Sequence, residues 1–200
     1  MNLPGRFFAA GLLAMGLANS TPAAAQDCPT AKTAGAGYVV ERGGNARSEV
    51  FRDGSIVRTI YRVGGNVLLE TTQFEGLFDL DRLDRGRRST SKPKKDLAKL
   101  FPLKNKQHVL AEFDIDAAGA PATKRTIELR VTGTEDIYIG KCKYGVLKIE
   151  RSQSQGASPP VFFNIDYYAP ELKLIVAKEF RESGGRTTMT KFDRIYAIAK

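Results

Sequence analysis

Apolar and polar side chains alternate along most of the chain beyond residue 25. The alternating runs lie at residues 37–41, 48–52, 55–63, 66–73, 108–115, 126–131, 137–150, 161–168, 172–180 and 187–198. Turn-forming residues separate them, and Asp53-Gly54 between two runs is a strong hairpin signal. A period of two is typical of half-buried strands. The sequence therefore predicts a mainly β protein, an antiparallel meander forming a curved sheet, half-barrel, barrel or β-spiral.

Three segments depart from simple alternation. In residues 137–150 the apolar positions change parity at Gly145, and a bulge there would let the strand keep a single inner face. The leucines of residues 77–83 have helical spacing, and so do the apolar residues of the segment 94–101, which prolines bound. One or two short helices are therefore expected beside the strands.

The first 25 residues have the layout of a secretory signal peptide. Arg6 precedes an apolar run at residues 7–17, and small residues follow up to Ala25. The apolar run is shorter than the roughly 20 residues that span a bilayer. Cys28 does not directly follow the cleavage site, so no lipid anchor is expected. We predict a periplasmic chain without a transmembrane segment, whose residues 26–200 form one β-rich domain with a basic helical or loop insertion at about residues 82–106.

The chain has two cysteines, Cys28 and Cys142. Cysteine pairs in exported proteins are normally bridged. A metal site would need more ligands than these two, and His108 is the single histidine. We therefore predict a structural disulfide rather than a metal site or a reactive thiol.

One segment carries the excess of positive charge. The net charge is +9, and residues 82–106 contain ten Lys or Arg against two Asp. Candidate contacts to an anionic or membrane surface in this segment are Arg82, Arg85, Arg87, Arg88, Lys92, Lys94, Lys95 and Lys99. The alternative is a solvated loop that keeps the protein soluble. Nucleic acid fits the charge but not the compartment, and no recognition motif for it is visible.

The sequence contains no recognisable motif for catalysis, metal binding or a cofactor. We interpret His108 as a surface strand residue. Asp79 with Asp81 and Asp114 with Asp116 form carboxylate pairs that strand alternation places on one face. A carboxylate-based hydrolase therefore stays open as a less favoured alternative, and we predict a protein that is not an enzyme and holds no cofactor or metal.

Residues 133–180 resemble a group of poorly characterised bacterial periplasmic proteins. The matching pattern consists of Gly133, Glu135, Cys142, Tyr144, Tyr167, Tyr168, Pro170, Leu172 and Val176. The group is similar to envelope-integrity proteins of β-spiral shape and, more distantly, to the lipoprotein carriers of the Lol system. The resemblance implies an open or closed antiparallel barrel with an apolar cavity, and a role in envelope maintenance through binding of lipid or an apolar protein segment.

These observations favour a periplasmic protein that supports the cell envelope and binds a lipid or an apolar segment in a β-sheet groove. Strand alternation nominates residues that line this groove: Val109, Phe113, Leu129, Phe163, Ile165, Leu174 and Val176. The same side chains are also consistent with a plain core. The alternative function is a protein–protein scaffold in envelope assembly that has no small ligand.

Overall fold

The structure is a computed structural model that describes residues 28–156, 158–160, 162–181 and 186–198. The predicted signal peptide, residues 1–25, lies outside the described residues. Within the described residues thirteen strands follow one another: β1 Tyr38–Arg42, β2 Ala46–Asp53, β3 Ile56–Val63, β4 Asn66–Phe74, β5 Phe78–Asp84, β6 Arg87–Pro93, β7 His108–Ala117, β8 Thr123–Ile139, β9 Cys142–Gln155, β10 Phe162–Ala169, β11 Leu174–Arg181, β12 Thr187–Lys191 and β13 Arg194–Ala197.

These strands form a single antiparallel sheet, which confirms the predicted meander. From β1 to β12 each strand pairs with the next one along the chain, and β13 returns to pair with β1. The sheet is not closed, because β12 and β13 are its two edges. Phe192 and Asp193 join these edges, and Asp193 N donates to Glu41 O at 2.8 Å. The chain thus crosses from one edge of the sheet to the other within two residues.

One of the two predicted helical segments, residues 77–83, is a strand, and the other, residues 94–101, contains a single 3₁₀ turn. Residues 77–83 form most of β5, where Gln73 pairs with Asp79 and Thr72 with Asp81, so that Leu80 is an extra residue in a bulge. This bulge produces the leucine spacing that was interpreted as helical. In the part of the chain that the structure describes, the helical elements are two 3₁₀ turns, Ala34–Ala36 and Leu97–Leu100. Neither is long and apolar enough to cross a membrane.

The first half of the basic segment belongs to the sheet, and its second half connects β6 to β7 outside the strands. Its first half completes the β5–β6 hairpin, and its second half contains the 3₁₀ turn Leu97–Leu100. Asp96 caps this turn, since its Oδ1 accepts from Ala98 N at 2.9 Å. The predicted helical or loop insertion is therefore wrong for β6, because hydrogen bonding to β5 and β7 satisfies its backbone.

The parity change in β9 does not come from a bulge at Gly145. The register shift lies in β8, where Thr132 is an extra residue between Val131 and Gly133. Strand β9 stays regular and buries its two faces against different clusters, with Tyr144 in one and Ile149 in the other. The prediction of one inner face was wrong, because both faces of the strand are covered.

The sheet rolls over itself as a spiral. Register pairs connect Val40 of β1 to Leu129 of β8 and Asp166 of β10 on one continuous face, which we call the inner face. One cluster packs the inner face of β1–β3 against the opposite face of β9–β11, and a second cluster fills the inner face around Leu129 and Phe113. Tyr38 OH donates to Leu172 O at 2.8 Å across the overlap. Both faces of β10 are therefore buried.

The predicted disulfide is confirmed. Cys28 and Cys142 are bonded and join the segment before β1 to the start of β9. Tyr144 OH donates to Pro29 O at 3.1 Å beside the bond. The N-terminal segment is thus fixed over the end of the spiral by covalent and hydrogen bonds.

Candidate functional site

A groove of about 580 Å³ opens onto the inner face of the spiral. It lies between the inner face of β1–β5 and that of β7–β9, with residues of β11 and the β12–β13 connection at its side. Its volume is in the range of about 300–1,000 Å³ that is usual for small-molecule sites. Apolar side chains supply much of the lining: Val40, Leu69, Leu77, Phe113, Ile127, Leu174, Ile175 and Phe192.

The charged part of the groove lining is strongly cationic. Its basic side chains are Arg42, Arg47, Arg82, Arg125, Arg151 and Lys178. Among the described lining residues they face a single carboxylate, Asp79, whose Oδ1 accepts from Gln73 Nε2 at 2.7 Å. A concave wall of one charge sign attracts ligands of the opposite sign.

A buried ionic cluster supports this wall from behind. Asp166 is completely buried on the inner face, where its Oδ2 accepts from Arg151 Nε at 2.5 Å and its Oδ1 lies 3.1 Å from Lys178 Nζ. Asn164 Nδ2 also donates to this carboxylate. Arg151 reaches further, to Leu77 O at 3.1 Å, so the cluster ties β9 to the β4–β5 turn. Two cations share one buried carboxylate, which leaves one formal positive charge on the groove wall.

Arg125 lines the groove and contains an unsatisfied donor. Its Nε is buried and has no hydrogen-bond partner among the described residues. A buried donor without a partner costs about 1–3 kcal/mol. The guanidinium thus adds positive charge to the lining, while its Nε is itself shielded from the open groove.

The residues predicted to line the groove are divided between the two faces of the sheet. Phe113 and Leu174 line it, whereas Val109 and Leu129 lie in the inner-face cluster beneath it. Ile165 and Val176 are buried in the other cluster, on the far side of β10 and β11. Phe163 is 41% exposed and also lies away from the groove lining. The prediction of a common lining is wrong for these five residues: packing beneath the groove covers Val109 and Leu129, whereas Ile165, Val176 and Phe163 lie away from the groove.

The predicted basic residues do not form one uniform surface either. Arg82 lines the groove and pairs with Asp84 at 2.7 Å. Arg88 pairs with Asp81 at 2.5 Å, and Lys94 pairs with Asp114. The remaining members of the predicted set are exposed, with no ion pair to any described residue: Arg85, Arg87, Lys92, Lys95 and Lys99.

Ion pairing shifts the titration of two carboxyl groups in this hairpin. A hydrogen bond from Arg88 lowers the pKa of Asp81, and one from Arg82 lowers the pKa of Asp84. Both carboxylates therefore stay ionised well into the acid range. They cancel part of the positive charge of the predicted basic segment.

The carboxylate pairs named from the sequence do not assemble as expected. The bulge at Leu80 places Asp79 and Asp81 on opposite faces of β5. Asp114 pairs with Lys94, while Asp116 is exposed. His108 is exposed on β7 and lies 2.7 Å from Glu128 Oε1. These side chains lie outside the groove lining, Asp79 excepted.

The cluster around Asp166 was not predicted from the sequence. Asn164 and Asp166 alternate with apolar residues in β10, a pattern typical of a solvent-exposed strand face. The signal that could have revealed their burial is Tyr168, which continues the same face. Tyr168 is buried on the same face as the two polar residues.

No model of a known protein family matches the chain, and no curated protein is similar to it in sequence at a significant level. Among solved structures, the chain is similar to the hypothetical lipoprotein YmcC from Escherichia coli (K12). The two share 9% identity and a TM-score of 0.48, over 79% of this chain and 83% of the other. We transfer no ligand or role from this protein. The resemblance to envelope-integrity proteins stays a prediction.

Proposed function

We propose that this protein is a non-enzymatic binding protein of the bacterial cell envelope, and that its groove takes an anionic amphiphile such as a lipid or fatty acid. The observation that carries the proposal is the composition of the groove lining. An apolar floor around Phe113 and Ile127 meets a wall of six basic side chains. A molecule with an acyl chain and an acidic headgroup matches both parts.

The apolar floor supplies affinity for the acyl chain. Each methylene group that leaves water for an apolar surface contributes about 0.8 kcal/mol. The polar wall supplies orientation, since Arg42 and Arg125 lie in the groove lining and Arg151 is held in place by Asp166. A pre-positioned guanidinium loses little entropy on binding an oxyanion, and its planar donors fit a carboxylate or phosphate.

The first residues and the disulfide both support the periplasm as the compartment. The N-terminal segment has the layout of a secretory signal. Disulfides such as Cys28–Cys142 persist in oxidising compartments. We therefore propose that the protein is periplasmic, a compartment in which phospholipids and fatty acids are available as ligands.

Displacement of a fluorescent fatty acid, cis-parinarate, tests the proposal. We expect the protein to bind the probe and a fatty acid to displace it at lower concentration than the fatty alcohol of equal length. Replacing Arg42 and Arg125 by Gln should weaken fatty-acid binding about tenfold or more, since each removes a charge-assisted contact. The alcohol should bind the variant as it binds the wild type.

Arg58→Gln is the matched control. Arg58 is exposed on the same sheet, outside the groove lining, and pairs with Glu70 at 3.1 Å. It should leave binding of both ligands unchanged. Equal affinity for acid and alcohol in the wild-type protein would contradict the proposal. A complete lack of probe binding would favour the protein–protein scaffold instead.

A further inference from the structure

A second cavity lies beyond the groove, behind the turn that joins β4 to β5. Its volume is about 360 Å³, and we call it the Phe101 cavity. Its lining is mostly apolar: Phe74, Ala98, Phe101, Pro102, Leu103, Leu147, Tyr168 and Pro170, with Ser55 and Glu75. It shares no lining residue with the groove.

The single carboxylate among these lining residues is neutralised. Glu75 Oε1 accepts from Lys173 Nζ at 2.7 Å, and both side chains are largely buried. Tyr168 OH donates to Glu75 O at 2.8 Å, and burial raises the pKa of this phenol. The cavity therefore presents a largely apolar interior without net charge.

Lysines flank the cavity along the chain. The segment 94–106 supplies four lining residues and also carries five lysines against one aspartate, Asp96. Lys94 pairs with Asp114, and the other four are exposed with no ion pair to any described residue: Lys95, Lys99, Lys104 and Lys106. An apolar opening thus stands next to uncompensated positive charge.

The segment is held in a fixed shape. The ring of Phe101 packs edge-on against Phe74 at 5.6 Å and Phe78 at 6.2 Å. The Gln107 side chain accepts from Lys104 N at 2.7 Å and donates to Leu100 O at 3.2 Å. The segment therefore holds its lysines and its cavity-lining residues in one conformation, and no further folding is needed before a ligand binds.

We propose that the Phe101 cavity is a membrane-docking site, which places the protein on an anionic lipid bilayer and takes the end of an acyl chain. Lysines are compact charges on flexible stems, so they follow mobile phosphate headgroups. Each contributes roughly 1 kcal/mol at an anionic surface. The aromatic interior accepts the chain that the lysines bring near. This site is separate from the groove, and it holds whether or not the groove binds a lipid.

Flotation with vesicles tests the docking site. The protein should float with vesicles of phosphatidylcholine containing phosphatidylglycerol, and stay unbound with phosphatidylcholine alone. Replacing Lys95, Lys99 and Lys104 by Gln should lower the partition coefficient on the order of 100-fold. The control replaces three exposed lysines elsewhere, Lys32, Lys124 and Lys141, and should float like the wild type.

A tryptophan reporter tests insertion, because the chain contains no tryptophan. We expect vesicles with brominated acyl chains to quench the fluorescence of Leu103→Trp, but not that of Tyr138→Trp, whose site is 55% exposed at the far end of β8. Absence of quenching at Leu103, or equal flotation of the two lysine variants, would overturn the proposal. So would failure of the wild type to bind anionic vesicles, which would leave an acidic protein face as the partner of these lysines.

The groove variant separates this site from the proposed function. Replacing Arg42 and Arg125 by Gln should leave flotation unchanged while it weakens fatty-acid binding. Loss of flotation in that variant, with the lysine variant unaffected, would assign membrane binding to the groove and overturn the docking site.

Discussion

Asp166 is a charged residue that needs partners to compensate its buried carboxylate. It is completely buried, and Arg151, Lys178 and Asn164 surround its carboxylate. A buried ion pair is seldom more stable than apolar residues of the same volume, whereas loss of one partner is strongly destabilising. Because the cluster lies behind the groove, it fixes Arg151 and Lys178 at the site where an acidic headgroup would bind in the proposed function.

Replacing both partners of the Arg151–Asp166 pair should cost less than the sum of the two single replacements. We expect Arg151→Leu and Asp166→Leu each to lower the free energy of unfolding by about 3 kcal/mol. The first leaves the buried Asp166 with Lys178 as its remaining cationic partner, and the second leaves the buried Arg151 without its carboxylate. The double variant should lose clearly less than the sum of the two. Urea denaturation of the four proteins measures these values. Strict additivity would show that the two side chains do not depend on each other.

Buried tyrosines make the fold sensitive to alkali. Burial raises the pKa of Tyr38, and it raises the pKa of Tyr144 to about 12. Below pH 10, about the ordinary pKa of tyrosine, both phenols keep their protons in the folded and the unfolded chain. In this range the free energy of unfolding does not depend on their titration. As pH rises above about 10, the unfolded chain loses these protons first and stability falls.

Denaturation at a series of pH values between about 8 and 11 checks this dependence. Tyr144→Phe should reduce the slope, because it removes one group that titrates differently in the two states. An unfolding free energy that stays constant across this range would contradict the burial of these phenols.

At the scale of the strands, bulges decide which side chains meet. Thr132 in β8 turns Ile137 and Ile139 to the face opposite Leu129, and Leu80 separates Asp79 from Asp81. Strand alternation in the sequence locates the strands but cannot count an unpaired residue within them. Most strands of the meander were therefore predictable, whereas the face of each side chain beyond a bulge was not.

Deleting Thr132 should disrupt the fold, whereas Thr132→Ser should be tolerated. The deletion would rotate Ile137 and Ile139 out of their cluster, at a cost of at least about 4 kcal/mol for two isoleucines. Near-ultraviolet circular dichroism and urea denaturation measure the loss of packing. A deletion variant with wild-type stability would mean that the register of β8 and β9 can slip without cost.

For the whole molecule, the rolled sheet explains why the site was only partly predictable. The groove combines side chains from strands as distant as β1 and β11, and Phe113 and Leu174 alone of the predicted lining reach it. Pairing between neighbouring strands follows from the chain order of a meander. The overlap of β1–β3 on β9–β11 depends on sheet curvature, which sequence alternation does not encode.

The disulfide contributes to this overlap by closing a loop across 114 residues. Replacing Cys28 and Cys142 by Ser should lower the free energy of unfolding by about 4–5 kcal/mol in the chain-entropy model. Reduction of the wild-type protein should give the same loss in urea denaturation. A loss below about 1 kcal/mol would mean that the packing around Tyr144 holds the N-terminal segment without the bond.

Native mass spectrometry of the protein, purified gently from the periplasm in which we propose it resides, tests most directly whether the groove holds an anionic amphiphile. We expect an added mass equal to that of an acidic lipid or fatty acid, which delipidation removes. Mixing with phosphatidylglycerol or a fatty acid should restore it, and Arg42→Gln with Arg125→Gln should weaken that uptake. A protein of bare polypeptide mass that takes up none of these ligands would contradict a lipid-binding groove.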